Sequence, residues 1–153
     1  MLSGLSGERL LLTLWVGSLL SIGYLAVPIA FATLGDVTLA GNYAGKLFST
    51  VNLLGMGCGS VLLLGKVFAK GKQALTLWRF WFVVLMLVLT LVFYFYLQPQ
   101  MADIKKLAWQ TDAELTAQFS SLHSISRNLY LLLTILGLAL VVTTDNFSLK
   151  TGA

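Results

Sequence analysis

Four apolar runs, each close to the length of a bilayer crossing, decide most of what this chain can become. They extend from Leu10 to Leu34, Phe48 to Gly65, Phe80 to Leu97 and Leu129 to Thr143, the first without a single charge. About 20 apolar residues in a helix cover the ~30 Å of bilayer hydrocarbon. The fourth run is the shortest, and Leu122 and Ile125 extend it toward the interface. Strands of a membrane barrel would instead alternate apolar and polar residues over segments of about 10. No such segments are present.

Composition agrees with the runs. Of the 153 residues, 58% are hydrophobic and 10% charged, with a mean hydropathy of +0.86. Soluble domains carry roughly 25% charged residues, and a soluble fold this apolar would expose extended sticky patches. The expected fold is all-α: a polytopic membrane protein with an antiparallel four-transmembrane-helix bundle. Residues 1–153 form one domain, with spans near 10–34, 48–66, 79–98 and 122–144 and a partly helical outer joint at 99–121. The first run is too long for a signal peptide and follows only one basic residue, Arg9, so it is read as an uncleaved span.

The net charge of +4 does not point to nucleic acid, because the Lys and Arg residues are scattered through the joints rather than interleaved with stacking aromatics. Cationic joints beside apolar spans suit anionic membrane lipids. Lys66, Lys70, Lys72 and Arg79 flank one short joint, where the positive-inside rule has most weight. Both termini are therefore expected in the cytoplasm and the protein in the cytoplasmic (inner) membrane. Trp78, Trp81, Tyr94 and Tyr96 fit aromatic belts at the two ends of the third span.

The joints carry helix signals. Asp36 is placed to cap a helix beginning at Val37. Thr111-Asp112-Ala113-Glu114 has the form of a capping box. Beyond it, Leu115, Phe119, Leu122, Ser126, Leu129, Leu133, Leu136 and Leu140 recur at steps of four and three, a seam for a neighbouring helix. Pro99 is expected to kink or restart the third helix, with Met101, Ile104, Leu107 and Ala108 continuing its apolar face.

Several of these segments together resemble a known family. Leu14-Trp15-Val16-Gly17, Gly23-Tyr24, Val27-Pro28, Phe31, Ala40-Gly41 and Gly45-Lys46-Leu47-Phe48 are similar to the small bacterial membrane family called domain of unknown function 4149. Leu122-His123-Ser124-Ile125-Ser126 resembles that family's Leu-His-x-x-Ser signature. The resemblance implies a four-helix bundle and little about activity. The related eukaryotic transmembrane protein 205 is associated with cisplatin resistance, which implies transport or trafficking without a mechanism.

Candidate residues fall into two groups. Gly41, Gly45, Phe48, Asn52, Gly55 and Gly59 form a small-and-polar stripe on the second helix, and the first offers Gly17, Ser21, Pro28 and Ala32. Lipid gives helices no hydrophobic reason to associate, so such stripes are expected to pack helices closely rather than line a permeation path. Pro28 removes the donor for the Tyr24 carbonyl, and Asn52 is expected to supply a substitute, to that carbonyl, to Ser21 or to the Tyr24 hydroxyl.

The second group concerns chemistry. His123 is the only histidine and is read as interfacial, with a functional role as the alternative. Cys58 is alone, and Met56 beside it points to a different side of a helix, so an inert buried thiol is preferred to a copper site. No nucleophile, base and oxyanion donor assemble, and no metal or cofactor is expected. The favoured reading is a non-catalytic scaffold, assembly or accessory subunit. Membrane lipids, and a homo-oligomer or larger membrane complex, are its expected partners. The alternative is an oligomeric transporter of a small solute, metal or drug.

Overall fold

In the computed structural model, which describes residues 2–107 and 111–143, the first span begins as α1 (Leu2–Leu20) and opens into a π-helical turn at Ser21–Ala26. It closes as α2 (Val27–Thr33). The cause is Pro28, which lacks an N–H and whose ring would clash with the carbonyl four residues back. Widening the turn avoids that clash: the Val27 N–H reaches five residues back, to the Ile22 carbonyl. Gly35, at φ 64°, then reverses the chain in a conformation that side chains with a Cβ rarely adopt.

The second span, α3 (Val37–Lys70), starts where Asp36 accepts hydrogen bonds from the Thr38 and Leu39 N–H groups. It extends well ahead of Phe48, so its first turns continue the helix beyond the apolar run. A second positive-φ glycine, Gly71 at 54°, ends it and leads into a 3-10 turn at Gly71–Thr76.

The third span repeats the first. Helix α4 (Trp78–Val92) opens into a π-helical turn at Phe93–Leu97 and continues as α5 (Gln98–Lys106). The Gln98 N–H again reaches five residues back, to Phe93, immediately before Pro99. Ile104 of the continuing face is buried and Met101 half-buried, Leu107 is exposed, and Ala108 lies outside the described residues. The fourth span, α6 (Ala113–Val142), is capped by Asp112, whose carboxylate accepts from the Glu114 and Leu115 N–H groups. Asp112 thus takes the position that the capping-box pattern gave to Thr111.

These four helices are long and apolar enough to cross a membrane. They pack as a square: spans one and three each adjoin spans two and four, while the backbones of spans one and three face each other only across the diagonal. The seam expected on α6 faces inward along its whole length, with Leu122, Ser126, Leu133, Leu136 and Leu140 buried.

Diagonally opposed spans correspond. Moving 71 positions along the chain takes Glu8 to Arg79. The same shift takes Leu12, Trp15 and Leu19 to Val83, Met86 and Thr90, all fully buried, and Pro28 to Pro99. A second constant shift takes Asn52, Gly59 and Leu62 of span two to Tyr130, Gly137 and Leu140 of span four, again all buried. The contacts obey the exchange. A Cβ on Gly59 would meet Trp15 and Leu87, and one on Gly137 would meet Met86 and Val16. The two helical hairpins are therefore related by an approximate two-fold axis along the bundle.

Candidate functional site

Where the bundle begins and ends its hairpins, one carboxylate gathers all four helices. Glu8 Oε1 accepts from Lys66 Nζ at 2.9 Å and from Arg79 Nη2 at 3.2 Å. Arg79 Nη1 donates to the Thr143 carbonyl and, at 2.9 Å, to its hydroxyl. Thr143 closes the C-terminal end of α6, where unsatisfied carbonyls favour a cation. The two cations are almost wholly buried, 8% and 5% of their side chains being exposed against 20% for Glu8. The Arg79 guanidinium also lies over the Trp78 ring at 5.8 Å.

This clamp was not foreseen from the sequence, where Lys66 and Arg79 counted only toward orientation. A usable signal existed. In an antiparallel bundle Glu8, Lys66 and Arg79 fall at one depth, and a lone acid there is the obvious partner for two buried bases.

At mid-depth the fit of span one to span two rests on one large residue. Trp15 is fully buried against Gly55 and Gly59: a Cβ on Gly55 would lie 2.4 Å from Nε1, and one on Gly59 3.1 Å from the ring edge. Of the expected packing stripe, these two glycines make the close approach. Gly17 has nothing within 4 Å of a Cβ, and Ser21 and Pro28 are exposed. They line the outside because Leu12, Trp15, Val16 and Leu19 fill the bundle interior from the opposite face, where close packing contacts hold the helices together. Gly17, Ser18 and Ser21 instead floor an open groove walled by Leu10 and Leu14. Gly45 also meets no neighbour, whereas a Cβ on Gly41 would touch Lys105, whose Nζ donates to the Gly41 carbonyl at 2.9 Å.

The hydrogen bond expected from Asn52 to Tyr24 or Ser21 does not form. The π turn reorganises the backbone around the proline, and Tyr130 of span four supplies the side-chain donor: its hydroxyl bonds the Leu19 carbonyl at 2.7 Å. Gly23 makes room for the Tyr130 ring, and Tyr24, though 45% exposed, packs obliquely on it at 6.1 Å. Asn52 does face inward, 1% exposed, but neither its oxygen nor its nitrogen meets a protein partner.

The remaining candidates are dispersed. His123 is exposed and stacks on Phe119 at 6.2 Å. Cys58 is buried in the core and Met56 half-buried. Among the described residues, no three His, Cys, Asp or Glu side chains come together as a metal site.

The fold is that of a small multi-pass membrane protein with four spans. Residues 10–110 match the family described as Domain of unknown function (DUF4149), and the chain belongs to that family. The match covers the first three spans, so the His123 segment lies outside it. No curated protein and no solved structure matches the chain.

Proposed function

We infer that this protein is a non-catalytic scaffold, assembly or accessory subunit of the cytoplasmic membrane, with both termini inside. The observation that carries the reading is the Glu8–Lys66–Arg79–Thr143 clamp. It draws all four helix ends together beneath a core filled by Trp15, Leu19, Met86 and Leu133, each with an exposure of 0%. A bundle closed in this way presents its outer faces to other membrane components. Its orientation follows from the basic residues beside the clamp: Lys70 and Lys72 are exposed in the same joint that holds Lys66 and Arg79.

One observation favours the alternative, transport as an oligomer. Helices interrupted by a π turn just ahead of a proline stand at corresponding places in the two hairpins, and repeat-built carriers make their sites from such discontinuous helices. The two readings part in a reconstitution experiment. A photo-crosslinking residue at Gly17 should give one protein adduct of fixed mass in native membranes, and proteoliposomes should pass small solutes no faster than empty liposomes. Protein-dependent flux of a neutral solute or a metal ion would overturn the accessory reading. Reporter fusions after Lys72 test orientation separately: a periplasmic signal there would reverse it.

A further inference from the structure

The two hairpins exchange roles at one depth of the bundle, and only one of them completes its hydrogen bonds with protein atoms. On the completed side, Gly23 of span one leaves room for Tyr130 of span four, whose hydroxyl reaches the Leu19 carbonyl at 2.7 Å. The corresponding residues on the other side are Tyr94 of span three and Asn52 of span two, so the large residue has moved to the opposite helix. A phenol spans the gap that a shorter amide does not. Asn52 Nδ2 and Oδ1 both lack a protein partner although the residue is 1% exposed.

A second orphan lies beside it. Trp15 Nε1 is fully buried and also lacks a partner. Its place is fixed by Gly55, whose Cβ position is 2.4 Å away. Asn52 sits three residues before Gly55 on the same helix, and such neighbours share a face with Cβ atoms about 5–6 Å apart. An unpartnered indole donor and an unpartnered amide thus lie within about one turn of each other along span two, both in the interior of the bundle.

We propose that Trp15 Nε1 and Asn52 hold a single water molecule inside the bundle. The chemistry selects the ligand. The indole offers a donor and the amide offers both a donor and an acceptor, so the guest must both accept and donate. No ionisable side chain lies on this turn of either helix, so an ion would lose its hydration without a countercharge. The Trp15 ring seated on Gly55 and Gly59 restricts the guest to a small size. A water accepting from Trp15 Nε1 and donating to Asn52 Oδ1 satisfies the indole N–H and the amide oxygen, and buried waters typically make about 2–4 such bonds. This inference does not depend on the accessory reading.

The test is proton-detected solid-state NMR of the nitrogen-labelled full chain in lipid bilayers, following magnetisation transferred from water. Trp15→Phe identifies the Trp15 indole signal. In the wild type, Trp15 Nε1–H and the Asn52 side-chain amide should receive water magnetisation while the core amide of Leu133 does not. Asn52→Leu should abolish the transfer to Trp15. Absence of transfer to the Trp15 indole in the wild type would overturn the proposal, as would an unchanged signal in a folded Asn52→Leu variant. The wild-type measurement decides the matter even if that variant does not fold.

Discussion

In span one, Leu12, Trp15 and Leu19 fill the core; in span three, Val83, Met86 and Thr90 occupy the equivalent places. Each hairpin opens a π turn before its proline and starts its second helix on an aspartate cap. The side chains on this shared plan are complementary rather than alike. Glu8 meets its own counterpart, Arg79, and Gly23 with Tyr130 is answered by Tyr94 with Asn52. Complementarity explains why the two-fold relation is approximate. Two carboxylates at the clamp would repel, and a tyrosine at position 23 facing Tyr130 would compete with it for one volume, so divergence from identity lets the halves close on each other.

The clamp should give the largest effect when this comparison is disturbed. Glu8→Ala leaves two buried cations without their shared carboxylate, and breaking a buried pair costs about 3–5 kcal/mol. Thermal unfolding in mild detergent measures it. The exchange Glu8→Arg with Arg79→Glu should recover only part of the loss. A carboxylate at position 79 would face the Thr143 carbonyl, and a guanidinium at position 8 would face Lys66. Full recovery would mean that the two hairpins are electrostatically equivalent at this end.

Next come the glycines at two close helix crossings. A methyl on Gly55 would sit 2.4 Å from the rigid Trp15 indole, and one on Gly137 2.6 Å from a methyl of the β-branched Val16. Each alanine variant should destabilise by about 1–3 kcal/mol through overpacking. Gly59→Ala should lose less, since its contacts begin at 3.1 Å and include the movable end of Leu87. Gly17→Ala should stay within about ±0.5 kcal/mol, because nothing lies near it. A loss at Gly17 comparable to that at Gly55 would show that the outer groove of span one is occupied in the membrane.

The contrast between Gly17 and Gly55 also shows what was legible in the sequence. Run length and composition give the four spans, and the four-and-three repeat of Leu115 to Leu140 gives the inward face of the last helix, because burial in a bundle imposes that period. Local chemistry gives Asp36 its capping role. The face of span one was misread because small residues pack helices only where a large partner enters the gap they leave, and that partner, Trp15, is recognised from its position in three dimensions. The clamp was illegible for a related reason: its members are distant in the chain and meet only once the square is assembled. The two-fold relation escaped because equivalent positions carry complementary residues, which hides the repeat from comparison by similarity.

A smaller effect separates the two hairpins at mid-depth. Tyr130→Phe removes the donor to the Leu19 carbonyl and keeps the ring that Gly23 accommodates. Hydrogen bonds between membrane helices contribute about 0.6–1.7 kcal/mol, so a loss in that range is expected in the same unfolding assay. A neutral result would mean that the backbone of span one satisfies the carbonyl unaided.

The smallest effect should be the most informative about why both hairpins open a π turn. Replacing Pro28 or Pro99 by alanine restores an N–H and removes the ring clash, so either turn becomes free to tighten into an α-helix. In span one the turn has a second support, since Tyr130 bonds the Leu19 carbonyl and its ring occupies the place beside Gly23. In span three the corresponding residue is Asn52, which reaches no protein partner. Tightening there would rotate α5 by about 100° per residue of register and pull Lys105 away from the Gly41 carbonyl. Buried Ile104 opposes that rotation, so the net stability change in either variant should be below about 1 kcal/mol. Amide hydrogen exchange resolves what stability does not: Pro99→Ala should speed exchange across residues 98–106, while Pro28→Ala leaves residues 27–33 unchanged. Equal responses in the two variants would assign both π turns to their prolines alone and remove Tyr130 from the account.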